Sequence, residues 1–170
     1  MAVHMSSFDG ETLQIFSESD RKPLQYLSLF CQREDKYSGE IEVIDWEVIC
    51  KASPELRVKF YFDHTCPFFR VREILKPMIP ISVLKLRLLA TVTELIYFIA
   101  NSYNQTLEVF DVTTTSSVEL DAAILHLSLN CGKLKELHVW CRLSKYAVEQ
   151  ILQSCSLKRH TLAYNVECES

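Results

Sequence analysis

The segment FDHTCP, residues 62–67, holds three side chains that could bind a metal ion. Asp63, His64 and Cys66 supply oxygen, nitrogen and sulfur donors. A zinc site would need further ligands from elsewhere in the chain, and the spacing of these three matches no zinc signature. We interpret the segment as a polar turn that follows a strand and ends at Pro67. The sequence predicts neither a metal site nor a bound cofactor.

Cysteine nucleophiles are a second chemistry that the residue types allow. A reactive thiol needs a lowered pKa, which a helix N-terminus or a neighbouring histidine provides. Cys50, Cys131 and Cys155 instead fall near the C-termini of predicted helices, where the helix dipole raises the pKa of a thiol. His138 and Cys141 are three residues apart on a predicted strand, so their side chains point to opposite faces. The sequence therefore indicates no nucleophilic cysteine.

The seven cysteines also bear on the compartment. They form no CxxC pair, and their odd number leaves at least one outside any disulfide. Together with the lack of a signal peptide, this count predicts free thiols in a reducing compartment. We expect a cytoplasmic or nuclear protein.

Motifs of the common enzyme classes are missing from the sequence. It contains no GxSxG, Walker, protein kinase or HExxH pattern, and each of these fixes the spacing of reactive groups. Ser, His and Asp all occur, so a hydrolase triad assembled by folding stays open as an alternative. The interpretation that we prefer is a protein without enzymatic activity.

Charge and hydropathy argue against two classes of partner. The formal net charge is −4 at pH 7, and no run of basic residues exceeds two, so electrostatic binding of nucleic acid is unsupported. The most apolar stretch, residues 88–100, contains Glu94 and is too short to span a bilayer. We expect no nucleic acid and no membrane among the partners.

A short apolar pattern recurs along the chain and predicts the strands. Its form is apolar-x-x-apolar-x-apolar, as in Leu24, Leu27 and Leu29, although the copy at 56–62 alternates instead and the last copy is incomplete. The copies begin at residues 24, 56, 81, 107, 134 and 157, so the spacings are 32, 25, 26, 27 and 23 residues. All but the first lie within the period of about 20–29 residues that is typical of leucine-rich repeats.

Between these copies the apolar residues change to helical spacing. Polar caps and a proline predict where the helices begin: Asp45, Pro67, Thr91, Ser116 and Ser144. Neither the strand nor the helix of such a unit can bury its apolar face alone, so neighbouring units must stack. We predict an α/β leucine-rich-repeat solenoid of about six repeats, with parallel strands on the concave face and helices on the convex face. The alternative is a doubly wound sheet, but that fold has strands that are apolar on both faces and often a glycine-rich first turn.

The repeats also predict domain boundaries. We expect a partial N-terminal repeat or tail at residues 1–20, the leucine-rich-repeat domain at 21–165 and a C-terminal tail at 166–170. The strand that begins at Leu24 would then be an exposed sheet edge.

Side chains between the buried positions of each strand point to the concave face, because side chains alternate along a strand. This face combines aromatic rings with charges of both signs, which is typical of protein-binding surfaces. We predict that a protein substrate contacts the following residues: Tyr26, Phe30, Lys59, Tyr61, Lys85, Arg87, Asp111, Glu136, His138 and Trp140. A charged, solvated sheet that needs no partner is the alternative, although exposed aromatic rings argue against it.

A specific resemblance accompanies the repeat pattern from about Leu24 to Tyr164. It lies in the segments IDWEVICKASPELRVKFYF, ILKPMIPISVLKLRL, SYNQTLEVFDV, SSVELDAAILHLSLNCGKLKELHVWC and LSKYAVEQILQSC. In these segments the chain resembles the C-terminal half of F-box/leucine-rich-repeat proteins. The resemblance implies a substrate receptor of a cullin-RING ubiquitin ligase, in which the repeats hold the substrate and an F-box binds the Skp1 adaptor.

One feature of that family has no counterpart here. The F-box is an N-terminal helical module, and the residues before Leu24 leave no room for it. Skp1 and cullin are therefore expected as partners only if an F-box is supplied upstream. The alternative function is a truncated isoform or fragment that acts as a competitor or scaffold without ligase activity.

Overall fold

The structure, a computed structural model, describes residues 2–18, 20–33, 41–88 and 90–164. The chain forms two compact units, Met1–Leu86 and Arg87–Ser170, called unit 1 and unit 2 below. Each unit has its own run of parallel strands and connecting helices.

Unit 1 contains four parallel strands that pair in the order in which they occur in the chain. A helix lies in each connection between them. The strands are β1 (Ala2–His4), β2 (Tyr26–Cys31), β3 (Arg57–Phe62) and β4 (Ile81–Arg87). The helices are α1 (Gly10–Phe16), α2 (Val43–Ala52) and α3 (Phe68–Ile74), and a 3-10 turn spans Met5–Ser7.

Unit 2 repeats this arrangement with three parallel strands and three helices among its described residues. The strands are β5 (Val109–Thr113), β6 (Glu136–Leu143) and β7 (Arg159–Tyr164). The helices are α4 (Thr93–Ser102), α5 (Val118–Asn130) and α6 (Lys145–Ser154).

The core of unit 1 consists of apolar rungs that cross the strands in register. Leu29 lies beside Phe60, and Phe60 lies beside Leu84. All three are fully buried, whereas the residues next to them in the chain are partly or fully exposed. This alternation leaves one face of the strands open, as in a leucine-rich repeat and unlike a doubly wound sheet. The predicted α/β leucine-rich-repeat fold is confirmed.

A strand that the repeat pattern did not predict precedes β2. Ala2–His4 forms β1 and pairs in parallel with β2, so that His4 lies beside Phe30. The expectation that the strand starting near Leu24 is an exposed edge was therefore wrong. Three residues are too few to show a period of two, which explains why the sequence gave no signal for β1.

The helix starts were predicted with mixed success. Ser144 caps α6 by accepting a hydrogen bond from the Ala147 amide, as expected. Asp45 was expected as a cap, but it is the third residue of α2 and completes a capping box with Glu42. Pro67 precedes α3 as predicted. Thr91 does not cap α4, which begins after Val92 without a side-chain cap.

The cap of α5 lies one residue later than predicted. Ser117, not Ser116, accepts a hydrogen bond from the Leu120 amide at 3.1 Å. We expect Ser117→Ala to lower the free energy of unfolding by about 1 kcal/mol, because a helix amide loses its acceptor. Ser116→Ala is the matched control, and its cost should stay below about 0.5 kcal/mol. Urea denaturation of both variants measures this difference, and equal costs would contradict the assignment.

Candidate protein-binding face

The open face of unit 1 is formed by the side chains of β1–β4 that point away from the core. They alternate with buried neighbours along each strand, as pleated strands require. The members of this face are His4, Tyr26, Ser28, Phe30, Arg57, Lys59, Tyr61, Val83 and Lys85. Of the residues predicted to contact a partner, the structure thus places Tyr26, Phe30, Lys59, Tyr61 and Lys85 together on one face.

A row of four residues crosses the open face of unit 1, one from each strand. The rings of Phe30 and Tyr61 stack with centroids 4.8 Å apart and an angle of 12° between their planes. His4 lies beside Phe30 at 6.0 Å, and the Lys85 ammonium lies 5.7 Å from the centroid of the Tyr61 ring. Strand pairing sets this row, because His4, Phe30, Tyr61 and Lys85 occupy one register position. Each side chain restricts the rotamers of its neighbour.

A second contact on this face joins Lys59 to Tyr26. The Lys59 ammonium lies 5.7 Å from the centroid of the Tyr26 ring, within the range of a cation–π interaction. Tyr26 remains 56% exposed. Arg57 lies beside Tyr26 on the next strand, and its guanidinium donates to the Leu56 carbonyl. Cations and aromatic rings are thus interleaved on the open face of unit 1.

Unit 2 has an open face of its own, which presents Trp140. The indole is 57% exposed, and its N–H donates to the Asp111 carboxylate at 2.8 Å. Asp111 was predicted to contact a partner from the concave face, but it is only 7% exposed. In a buried site the carboxylate needs hydrogen-bond donors, which explains why it is found under the indole. The same bond fixes the orientation of Trp140.

His138 connects two further side chains of the open face of unit 2. Its Nδ1 lies 2.9 Å from the Thr161 hydroxyl, and its Nε2 lies 3.7 Å from the Glu136 carboxylate. Glu136 also lies 3.6 Å from the Arg159 guanidinium. Three predicted residues, Glu136, His138 and Trp140, therefore occur together on β6. Arg87, at the end of β4, is exposed.

Sequence reasoning missed several members of these two faces or gave them no role. His4 belongs to a strand that was not predicted, and Arg159 and Thr161 belong to an incomplete repeat. Arg57 lies on β3 but was not among the residues predicted to contact a partner. The hydrogen bond of Trp140 to Asp111 joins residues that lie diagonally across neighbouring strands, a contact that the alternation of side chains does not specify.

The segment after β3 is a turn organised by Asp63. Its carboxylate accepts hydrogen bonds from the Thr65 amide at 2.8 Å and the Thr65 hydroxyl at 2.6 Å. The Cys66 amide donates to the same oxygen at 3.2 Å, and Cys66 itself is buried. Across residues 2–18, 20–33, 41–88 and 90–164, no group of three His, Cys, Asp or Glu side chains could hold a metal ion.

Burial raises the pKa of three cysteine thiols, those of Cys50, Cys131 and Cys141. Burial raises the pKa of the Cys131 thiol to about 11, and Cys155 adds a smaller contribution. Burial also raises the pKa of Cys50 and, as the largest cause, that of Cys141. The Cys155 thiol donates to the Ser128 carbonyl at 3.2 Å. Thiols with a raised pKa are poor nucleophiles at neutral pH. Cys168 lies outside the described residues.

Of the helices in the described part of the chain, none is long and apolar enough to cross a membrane.

Similarity to known proteins supports the repeat assignment. The chain is 27% identical over 164 residues to F-box/LRR-repeat protein 8 of Bos taurus and to that of Homo sapiens, and 26% identical to that of Mus musculus. Each alignment covers 95% of this chain and 44% of the relative, so the chain spans less than half the length of the curated relatives it matches. No family model matches the chain. The predicted resemblance to F-box/leucine-rich-repeat proteins is confirmed.

Proposed function

We propose that this chain is a protein-interaction module that serves as the substrate-recognition half of an F-box receptor in an SCF-type (Skp1–cullin–F-box) E3 ubiquitin ligase. The observation that carries the proposal is the row of His4, Phe30, Tyr61 and Lys85, one from each strand of unit 1. Tyr, together with Trp and Arg, is among the residue types that dominate the binding energy of protein interfaces. The similarity to F-box/LRR-repeat proteins supports the ligase context.

The mechanism of such a module is presentation of ordered side chains. Backbone pairing fixes the strands, and the stack of Phe30 on Tyr61 holds both rings before a partner arrives. In unit 2 the bond to Asp111 does the same for Trp140. Little conformational entropy is then lost on binding, which favours affinity. Contact with Skp1 and cullin requires an F-box and is proposed only for a polypeptide that carries one.

A pair of double variants tests the binding face. Phe30→Ala/Tyr61→Ala removes one Phe and one Tyr from the open face of unit 1. Phe69→Ala/Tyr146→Ala removes the same residue types from helices, where they are 58% and 67% exposed. We expect the face variant to lose bound proteins that wild type and the helix variant retain, because interface aromatics are binding hot spots. Quantitative mass spectrometry of proteins that co-purify from cell extract measures this loss.

Two controls make the result interpretable. Circular dichroism melting must show that both variants stay folded, since surface truncations cost little stability. Identical partner sets for wild type and the face variant would reject the proposed face.

Proteins that bind through the face should also accumulate when cullin activity is blocked in cells that express a polypeptide with an F-box. Unchanged lifetimes would leave a binding module and contradict the ligase role.

A further inference from the structure

The charges on the open face of unit 1 have one sign. Its positions on β2, β3 and β4 include Arg57, Lys59 and Lys85 and contain no Asp or Glu. In the parts of the chain that the structure describes, no carboxylate lies within ion-pairing distance of Arg57 or Lys59. The whole chain carries a formal charge of −4. This face is therefore a cationic region on an acidic protein.

The rings of Phe30 and Tyr61 stack on this face, so each has one plane in contact with the other. The His4 ring lies 6.0 Å from the Phe30 ring and is tilted by 43° relative to it. One plane of Tyr61 is covered by Phe30, and the Lys85 ammonium lies over the other. Strand order places His4 and Lys85 at opposite ends of the row. A ring edge carries partial positive charge, so it can contact an anionic or carbonyl oxygen favourably.

We infer that the open face of unit 1 binds an acidic peptide segment of the partner protein. Carboxylates of the segment would lie against Lys59 and Arg57, and its backbone carbonyl oxygens would contact the edges of Phe30 and Tyr61. The inference rests on the proposed function and specifies the chemistry of the partner. A single-stranded nucleic acid would also suit a cationic aromatic surface, but its bases need exposed ring planes on which to stack, and Phe30 and Tyr61 each have one plane in contact with the other.

Lys59→Glu tests the inference, with Lys133→Glu as the control for the same charge change. Lys133 is exposed in the loop between α5 and β6 and is not part of the open face of unit 1. A random 12-residue peptide library displayed on phage is selected on the wild-type protein. We expect the selected peptides to be rich in Asp and Glu. Fluorescence anisotropy should show their affinity reduced at least about tenfold by Lys59→Glu, because like charges now face each other, and unchanged by Lys133→Glu.

Three results would overturn the inference. The first is that the selected peptides contain no excess of acidic residues. The second is that Lys59→Glu binds them with the same affinity as wild type. The third is that the protein binds a labelled random single-stranded DNA pool more tightly than the peptides. Replacing every Glu of a selected peptide by Gln should also weaken binding, and melting curves show that each variant is folded. A partner that Phe30→Ala/Tyr61→Ala loses and Lys59→Glu retains would reject the acidic segment and leave the proposed function intact.

Discussion

Replacing Phe60 by alanine is expected to lower the free energy of unfolding by about 3–5 kcal/mol, the usual cost of removing a buried phenylalanine side chain. Phe60 is fully buried on β3. Its ring stacks on Phe62 with centroids 5.5 Å apart, and Trp46 of α2 lies 6.4 Å away on a tilted plane. The variant loses these aromatic contacts and leaves a cavity between strand and helix. Urea denaturation followed by circular dichroism measures the loss, with the slope of the transition checked for a change in the unfolded surface.

The next residue in the chain is the control for this prediction. Tyr61 points to the open face, where its ring stacks on Phe30 but remains partly exposed. Tyr61→Ala should therefore cost about 1 kcal/mol or less. A strand shifted by one residue would exchange the two costs, because every side chain would change face. A larger loss for Tyr61→Ala than for Phe60→Ala would thus contradict the register of β3.

The register of the strands could be predicted from the sequence because a leucine-rich repeat specifies it in two ways. The apolar pattern specifies which side chains are buried, and its recurrence specifies which residues of successive strands are neighbours. The strand of Phe60 illustrates this. The apolar residues at 56–62 alternate and so depart from the repeat pattern, but they still predict correctly which side chains of β3 are buried. Aromatic side chains such as Phe30 and Tyr61 could consequently be placed on one face before the structure was known.

Features that depend on one or two residues could not be predicted in this way. The capping-box spacing of Ser116 and Glu119 favoured Ser116 as the helix cap, but the cap of α5 is the adjacent Ser117. The burial of Asp111 depends on the indole of Trp140, which an alternation rule treats as independent. His4 joins the face through a strand too short to show periodicity. The local apolar pattern therefore predicts the strands and helices, whereas contacts between separate repeats determine how the side chains of the candidate site are placed.

Helix propensity predicts that Gly10→Ala stabilises the protein, whereas the contact between α1 and α2 predicts that it is destabilising. Gly10 is the first residue of α1 and does not adopt a positive φ. On propensity alone, Gly10→Ala would stabilise the protein by about 0.4–1 kcal/mol. A Cβ at this position, however, would lie 2.5 Å from Oδ2 and 3.0 Å from Cγ of Asp45. The carboxylate must move, so we expect a loss of about 1–3 kcal/mol in urea denaturation.

The loss arises because Asp45 is held in place from two sides. Its Oδ2 accepts a hydrogen bond from the Glu42 amide at 3.1 Å, and its Oδ1 accepts one from the Gln14 side chain at 3.1 Å. Only 8% of Asp45 is exposed, so a displaced carboxylate does not regain full hydration. Moving it therefore breaks the capping box of α2 and a link to α1 together.

A double-mutant cycle separates this clash from an effect of the backbone. Asp45→Ala alone should be destabilising, because the Glu42 amide and the Gln14 side chain lose their acceptor. In that background no carboxylate opposes a Cβ at position 10, so adding Gly10→Ala should be neutral or stabilising by up to about 1 kcal/mol. The sign of the Gly10→Ala effect is thus expected to reverse with the residue at position 45. If Gly10→Ala destabilised both backgrounds equally, the backbone of α1 and not the side chain of Asp45 would explain the requirement for glycine.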